Sequence, residues 1–403
     1  MRHGVEARVV EGGTRPEAVR TAFALVRAQL AGAPLTLEPR DPRAADAASS
    51  PAPVATPGVA VVLSTSGSSG QPRRTALRSE ALLWHARAVQ ERLGGPGRWL
   101  LALPLHHVAG WQVLVRAALA GATPPVVLDT TAGFDVGGLA AAVADLDDVG
   151  PRCTSLVPTQ LVRALAHRAA RDALAHLDRV LVGGAAAPAG LLERARAAGI
   201  PVVETYGMTE TGGGCVYDGV PLDGVRVAVR DGRLEVAGAT LAAGYVRADG
   251  SVLDVGGDSP FLVRDGVRWV RTADLGSIGT DGRVRVHGRA DDVIVTGGIN
   301  VHPAAVERVL HAAESVADVV VVGLPDAEWG SSVTAVVVAA PGGPAPDLAA
   351  LRARVGAELG RAHAPRSLAV VPRLPLLGPG KVDRAGAARL AAVILAGRQT
   401  LDS

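Results

Sequence analysis

Short apolar runs alternate with helical periods over residues 59–203 of this chain. The runs fall at 59–63, 99–103, 125–128, 154–157, 180–182 and 201–203. Between them apolar residues recur every three or four positions, which predicts helices at 79–92, 111–120, 139–146, 159–170 and 189–198. Strands separated by helices join through crossovers, so this block predicts parallel sheet.

Ahead of the block, residues 1–40 predict one strand and an amphipathic helix at 16–30; a Pro, Ala, Ser and Asp stretch at 41–58 then reads as a linker that cannot bury a core. Beyond it the texture changes. Short strands over 225–287 are punctuated by Asp231-Gly232, Asp249-Gly250, Asp265-Gly266 and Asp281-Gly282, which predict hairpins and a mainly antiparallel, barrel-like subdomain. After Arg289 the expected elements are helices at 303–312 and 347–360, strands at 319–323, 333–339 and 368–371, and a last helix past Lys381. The expected fold class is α/β. A large amino-terminal lobe, 1–289, holds mainly parallel sheets with helices plus the small barrel-like subdomain, and a small α+β lobe fills 290–403.

Composition narrows the function. With 48% hydrophobic residues in 403 the chain can bury a large core, and a net charge of +2 without any basic block or tail speaks against a nucleic-acid surface. Cys153 and Cys215 lie far apart without metal-ligand spacing, which fits a reducing compartment. There is no apolar leader and no window approaching the roughly 18 to 20 residues of a membrane span. A cytoplasmic chain is expected.

Of the 41 Lys+Arg residues, only Lys381 is lysine, in Gly378-Pro379-Gly380-Lys381-Val382-Asp383-Arg384. In a chain that writes basic charge as Arg, one Lys is either a residual codon in a surface loop or a compact point charge meant for a tight site. Other segments add chemistry. Thr65, Ser66, Gly67, Ser68, Ser69, Gly70, Gln71, Pro72 and Arg73 follow an apolar strand, where glycine backbone, hydroxyls and one cation suit phosphate oxygens. Gly-Lys-Ser/Thr is absent, so this is not a Walker loop. Tyr206-Gly207-Met208-Thr209-Glu210-Thr211 stands at the carboxyl end of a strand, where Glu210 can carry Mg2+ against phosphates or simply be solvated. Gly183-Gly184-Ala185 allows a flat base to pack on backbone, or is an ordinary turn, and Asp274 suits ribose hydroxyls or a turn.

In order along the chain, the Thr65–Arg73 loop, Pro104-Leu105-His106-His107, Gly183-Gly184-Ala185, Tyr206 to Glu210, Thr272-Ala273-Asp274-Leu275-Gly276, Gly288-Arg289-Ala290-Asp291-Asp292 and Gly380-Lys381 resemble the acyl-adenylate-forming superfamily. Within it, Leu103 to Gly110, Ser155 to Leu161 and Gly214 to Gly219 are most similar to o-succinylbenzoate:CoA ligases of menaquinone synthesis, in the compact form seen in actinobacteria. Two departures stand out: Arg73 replaces the family's common Lys, and the region before the phosphate loop is short.

The resemblance implies that a carboxylic acid, ATP and CoA react in two steps, through an acyl-AMP. It places Lys381 between carboxylate and α-phosphate, Glu210 on Mg2+, Thr65 to Arg73 on the outer phosphates, Tyr206, Gly207, Thr209, Gly183, Gly184 and Ala185 around the nucleotide, and Asp274 and Arg289 at the ribose. His107 gates an acyl pocket whose other expected residues are Gln160, Arg163, Gly213, Gly214 and Val216. The resemblance also implies that the small lobe is mobile, with Asp291 as its hinge, and that Gly297 and Gly298 face the CoA pantetheine. A homodimer, another adenylating enzyme (an aryl- or acyl-acid CoA ligase, or a stand-alone enzyme loading a carrier protein), and a non-catalytic acyl-adenylate or nucleotide binder stay open at this stage.

Overall fold

The computed structural model describes residues 5–43, 53, 55–56, 58–66, 72–188, 190–377 and 381–399. The chain divides into two compact units. The first comprises Met1–Gly184, Leu192–Thr272 and Ile278–Val284; the second comprises Ala185–Leu191, Ala273–Ser277 and Arg285–Ser403.

The parallel sheet expected from the alternation is present in the first unit. Val202–Met208, Arg179–Gly183, Arg152–Leu156, Arg98–Leu101 and Val126–Val127 lie side by side and parallel, and Gly213–Tyr217 and Val220–Pro221 extend the sheet antiparallel beyond Val202–Met208. A second sheet joins Glu6–Glu11, Leu35–Arg40 and Val59–Ser66 in parallel, then Pro72–Arg78, Gly244–Val246 and Val252–Leu253 antiparallel.

Helix Ser79–Leu93 packs on Val59–Ser66 and Pro72–Arg78, helix Val108–Ala120 packs on Arg98–Leu101, Arg152–Leu156 and Gly213–Tyr217, and the two helices pack on each other. They form a layer between the sheets, where Trp99, Trp111, Leu114, Leu82 and Val89 share one core. Helix Ser79–Leu93 stops at Gly94, whose φ of 98° only glycine adopts readily. In the other helix Gly110 cannot be replaced without a clash, because a Cβ there would stand 2.3 Å from the Pro104 carbonyl oxygen.

Three local expectations change. The helix expected at 159–170 is two, Pro158–Ala166 and Arg168–Ala175, because His167 takes an extended conformation and caps the second by accepting from the Ala170 N–H at 3.3 Å. The 225–287 segment does not close on itself: Arg226–Arg230 with Arg233–Ala237, and Phe261–Arg264 with Val267–Ile278, are antiparallel hairpins of one sheet, while Gly244–Val246 and Val252–Leu253 join the amino-terminal sheet. Strand Leu35–Arg40 was hidden by its polarity. Its Glu38 is 4% exposed because Arg74, two strands away in the same sheet, pairs with it at 2.7 Å.

The Asp-Gly turns are of two kinds. Asp231 and Asp265 share positive φ with their glycines, as a two-residue hairpin turn requires. Asp249 and Asp281 instead accept the backbone N–H two residues on, at 2.9 and 3.1 Å.

The second unit is built on a sheet of Val316–Asp326, Gly330–Ala339 and Ser367–Val370. Its long strand is apolar on both faces. Val319 and Val321 pack with helices Pro303–His311 and Leu348–Leu359, while Val320 and Val322 pack with Ala387 and Ala391 of helix Arg384–Gln399. Two hairpins complete it, Ile294–Thr296 with Ile299–Val301 and Leu376–Leu377 with Lys381–Val382. Among the described residues no helix is long and apolar enough to cross a membrane.

Candidate active site

In the first unit the expected nucleotide residues come from adjoining strand ends. Thr65 pairs with Arg73 across the hairpin Val59–Ser66/Pro72–Arg78, with Thr65 Oγ1 donating to the Arg73 carbonyl at 3.3 Å. Gly67, Ser68, Ser69 and Gly70 lie outside the described residues, as does the side chain of Ser66. The loop therefore joins two antiparallel strands, not a strand to a helix.

The Arg73 guanidinium stands 5.3 Å from the ring centre of Tyr245, and the Tyr245 hydroxyl donates to Glu210 Oε1 at 2.6 Å. Burial and the adjacent Glu210 carboxylate push the Tyr245 phenol well above its usual range, so it stays a donor. Arg73, Tyr245 and Glu210 thus meet although they come from three distant parts of the sequence. Tyr245 was not among the expected site residues; its one signal was being an aromatic in a chain with only 3% of them.

Glu210 sits in the single turn Thr209–Thr211 directly after strand Val202–Met208. The Glu210 carbonyl accepts from Ala242 N–H at 2.9 Å and the Thr211 carbonyl accepts from Thr240 Oγ1, so the turn is fixed at its backbone. A single carboxylate exposed to a phosphate-bearing substrate is the donor set Mg2+ accepts, since this ion keeps most of its shell as water and phosphate oxygen. No cluster of three or more His, Cys, Asp or Glu that could hold a metal without such help occurs among the described residues.

The glycines have steric reasons. A Cβ on Gly207 would lie 2.1 Å from the Gly213 carbonyl oxygen, and one on Gly183 would lie 2.2 Å from Thr205 Oγ1. Gly184 turns with φ of 81°, Ala185 is exposed, and Tyr206 is half-buried against the core.

For the acyl side, His107 is the residue before helix Val108–Ala120, its ring 4.3 Å from that of His106. His106 is bound to the Gly12 carbonyl at 2.8 Å, and burial holds its pKa low. Gln160 is committed elsewhere: it accepts from Val157 N–H and donates to the Ala102 carbonyl, both at 3.0 Å, so its carboxamide caps a helix rather than waiting for substrate. Arg163, one turn further, is exposed. Gly213 and Gly214 open the strand Gly213–Tyr217, but Val216 is 2% exposed and belongs to the core, so the expectation that it lines an acyl pocket does not fit its burial. The Cys153 and Cys215 thiols are buried and pushed up to about 12, which keeps them out of nucleophilic chemistry.

In the second unit, Arg289 grips Asp291 with two prongs, at 2.8 and 2.6 Å, and its other nitrogen is 3.9 Å from Asp274. The expected ribose and hinge residues therefore form one ion cluster. Gly297 and Gly298 make the tip of the Ile294–Val301 hairpin with φ of 55° and 79°. A Cβ on Gly297 would press 2.5 Å against the Trp329 ring, a contact the sequence did not signal. Lys381 pairs through its backbone with Leu377, and its side chain lies outside the described residues. Three residues on, Arg384 binds both oxygens of Glu307 at 2.6 and 3.0 Å and Asp292 at 2.9 Å, joining the base of the Lys381 hairpin to the residue next to Asp291.

The chain belongs to the AMP-binding enzyme family: its model matches residues 7–246, and that of the AMP-binding enzyme C-terminal domain matches 305–381. Over 334 residues, 82% of this chain and 84% of the relative, it is 50% identical to a probable 2-succinylbenzoate–CoA ligase of Mycobacterium tuberculosis. A 2-succinylbenzoate–CoA ligase of Listeria monocytogenes is 29% identical over 81% of this chain and 68% of the relative. Among solved structures, E. coli MenE with a bound analogue of OSB-AMS superposes with a TM-score of 0.71 at 25% identity, covering 98% of this chain and 89% of that one. The amide bond synthetase McbA of Marinactinospora thermotolerans gives 0.74 at 26% identity, covering 96% and 90%.

Proposed function

We propose that this chain is an ATP-dependent acid:CoA ligase whose acid is o-succinylbenzoate. In the first step a carboxylate oxygen bonds to the α-phosphorus of ATP and the bond to the β-phosphate breaks, releasing pyrophosphate. In the second the CoA sulfur bonds to the acyl carbon, the bond to AMP breaks, and the thiol proton leaves to solvent. The observation that carries the chemistry is Glu210, held by Tyr245 beside Arg73 at the carboxyl edge of a parallel sheet, in a chain of the AMP-binding family. The acid rests on the similarity to 2-succinylbenzoate–CoA ligases along four-fifths of the chain.

Bringing two anions together is a matter of placement and neutralising charge. Thr65 and Arg73 hold the outer phosphates, and Glu210 would hold Mg2+, which would offset phosphate charge. Gly183, Gly184 and Tyr206 leave room for the base, and Asp274 accepts from ribose hydroxyls. Lys381 meets the charge that develops at the α-phosphate. Arg163 is exposed on a helix whose Gln160 is fully engaged, and it pairs with the succinyl carboxylate. His107 closes the aromatic end. Rotation at Asp291 then exchanges Lys381 for the Gly297-Gly298 tip, which lacks side chains and so leaves width for pantetheine.

The test is pyrophosphate release over a panel of carboxylic acids with ATP, Mg2+ and CoA. o-Succinylbenzoate should far exceed benzoate and medium-chain fatty acids, since each lacks a group the pocket pairs. A fatty acid or plain benzoate as the best substrate removes the assignment of the acid and leaves adenylation standing.

A further inference from the structure

Beneath the turn that carries Glu210, three successive glycine carbonyls are each held by a side chain. Gln112 Nε2 donates to the Gly212 carbonyl at 2.7 Å, Thr211 Oγ1 lies 2.8 Å from that of Gly213, and His85 Nε2 lies 2.7 Å from that of Gly214. All three side chains are at most 1% exposed. A carbonyl oxygen only accepts, so the imidazole carries its proton on Nε2. Burial and nearby Arg116 draw its pKa down to about 4, and the ring stays neutral.

Neither His85 nor Gln112 has a packing reason to be polar. His85 occupies the apolar stripe of its helix, with Ala81, Leu82, Ala86 and Val89, where leucine would bury as well. Gln112 stands between Trp111 and Val113 in a helix buried nearly all round. Two buried polar groups on separate helices are costly unless paired, and both are spent on one short glycine segment. Gly213 leaves no slack: its φ is 122°, and a Cβ would lie 3.2 Å from His85 Nε2 and 3.3 Å from Gln112 Cγ.

We propose that His85, Gln112 and Thr211 are positioning residues that clamp Gly212–Gly214 from the core side and thereby set the width of the acyl slot and its offset from Glu210. This rests on the reading of Gly213 and Gly214 as a wall of that slot. With all three carbonyls tied to side chains of the core, the backbone that carries half-buried Gly214 has little freedom to shift when a smaller acid enters. Selectivity then depends on residues that touch no substrate.

The experiment compares His85→Phe, which keeps ring volume but removes the donor, His85→Gln, which keeps an N–H donor, and Gln112→Met. The readout is the ratio of kcat/KM for o-succinylbenzoate to that for benzoate, which does not depend on the fraction of folded enzyme. The ratio should fall roughly tenfold or more in His85→Phe and Gln112→Met and stay within about twofold in His85→Gln, with the KM for ATP unchanged, since misplacing one wall of a site by a fraction of an ångström costs on this scale. Equal loss on both acids, with the ratio intact, means the clamp is only structural and overturns the proposal; failure of both donor-lacking variants to fold does the same. Should the wild-type protein prefer another acid, the proposed substrate falls, and the same ratio is read between that acid and its next-best competitor.

Discussion

Replacing His85 by Phe should change how stability depends on pH. The imidazole is buried against Gly214 and Arg116, and its pKa of about 4 lies below the ordinary 6.5 it regains on unfolding. Between these values the unfolded chain binds a proton that the folded chain refuses, so His85 costs nothing above the ordinary value and destabilises the fold increasingly as pH falls toward the folded one. The linkage amounts to about 2 kcal/mol at pH 5 and on the order of 3 kcal/mol once both forms are titrated. Arg116 and Tyr217, the charged or titratable neighbours on the other elements, do not change charge in that window: burial lowers the first only from its very high value and pushes the second up to about 12.

His85→Phe also leaves the Gly214 carbonyl without its donor, a penalty of about 1–3 kcal/mol that is the same at every pH. The variant should therefore be the less stable protein at neutral pH, and the gap should narrow by about 2 kcal/mol on going to pH 5. Urea unfolding followed through tryptophan fluorescence reports it, because Trp99 and Trp111 lie in the core that holds this helix layer. A gap that stays constant from neutral pH to pH 5 means that His85 takes up its proton as readily in the folded protein as in the unfolded chain, and that its role as a neutral donor over this range is wrong.

Lys381→Ala should lower acyl-AMP formation roughly 10²- to 10³-fold while sparing thiolation of supplied acyl-AMP, as loss of one transition-state donor does; equal loss in both half-reactions takes Lys381 out of the adenylation step. Tyr245→Phe removes the hydroxyl that fixes Glu210 and should raise the KM for Mg·ATP about tenfold with the KM for the acid unchanged, in line with a hydrogen bond to a charged group; an unchanged KM for Mg·ATP would falsify the role given to Tyr245. Asp291→Pro removes an N–H and fixes φ near −65°, so single-turnover assays should show acyl-AMP accumulating while thioester output collapses, whereas Asp291→Ala, which loses the carboxylate bound by Arg289 but leaves the backbone free to turn, keeps both steps. A folded Asp291→Pro protein with both steps at the parental rate is not altered at its pivot.

Periodicity made the parallel sheet and most helices legible, because burial on both faces writes short apolar runs that alternate with helical spacing. It failed where polarity was satisfied by a distant partner. Leu35–Arg40 looked unlike a buried strand because Glu38 is paid for by Arg74, and the two short strands that leave the β-rich segment are too brief to show which sheet they join. The motifs gave Glu210, Arg73 and Arg289, which the fold places in a turn and at strand ends, and Asp274, which lies within the strand Val267–Ile278. They did not give Tyr245, His85, Gln112, Trp329 or Arg384, each of which acts on a motif from elsewhere in the chain. The one trace such residues leave is a polar side chain at an apolar position of a helix, as at His85 and Gln112.

The most direct measurement of the central claim is the product balance of the purified protein with o-succinylbenzoate, ATP, Mg2+ and CoA, read by mass spectrometry. The account predicts o-succinylbenzoyl-CoA and AMP in equal amounts, with o-succinylbenzoyl-AMP building up when CoA is left out. Formation of ADP in place of AMP, or of acyl-AMP that never passes to CoA, would contradict it.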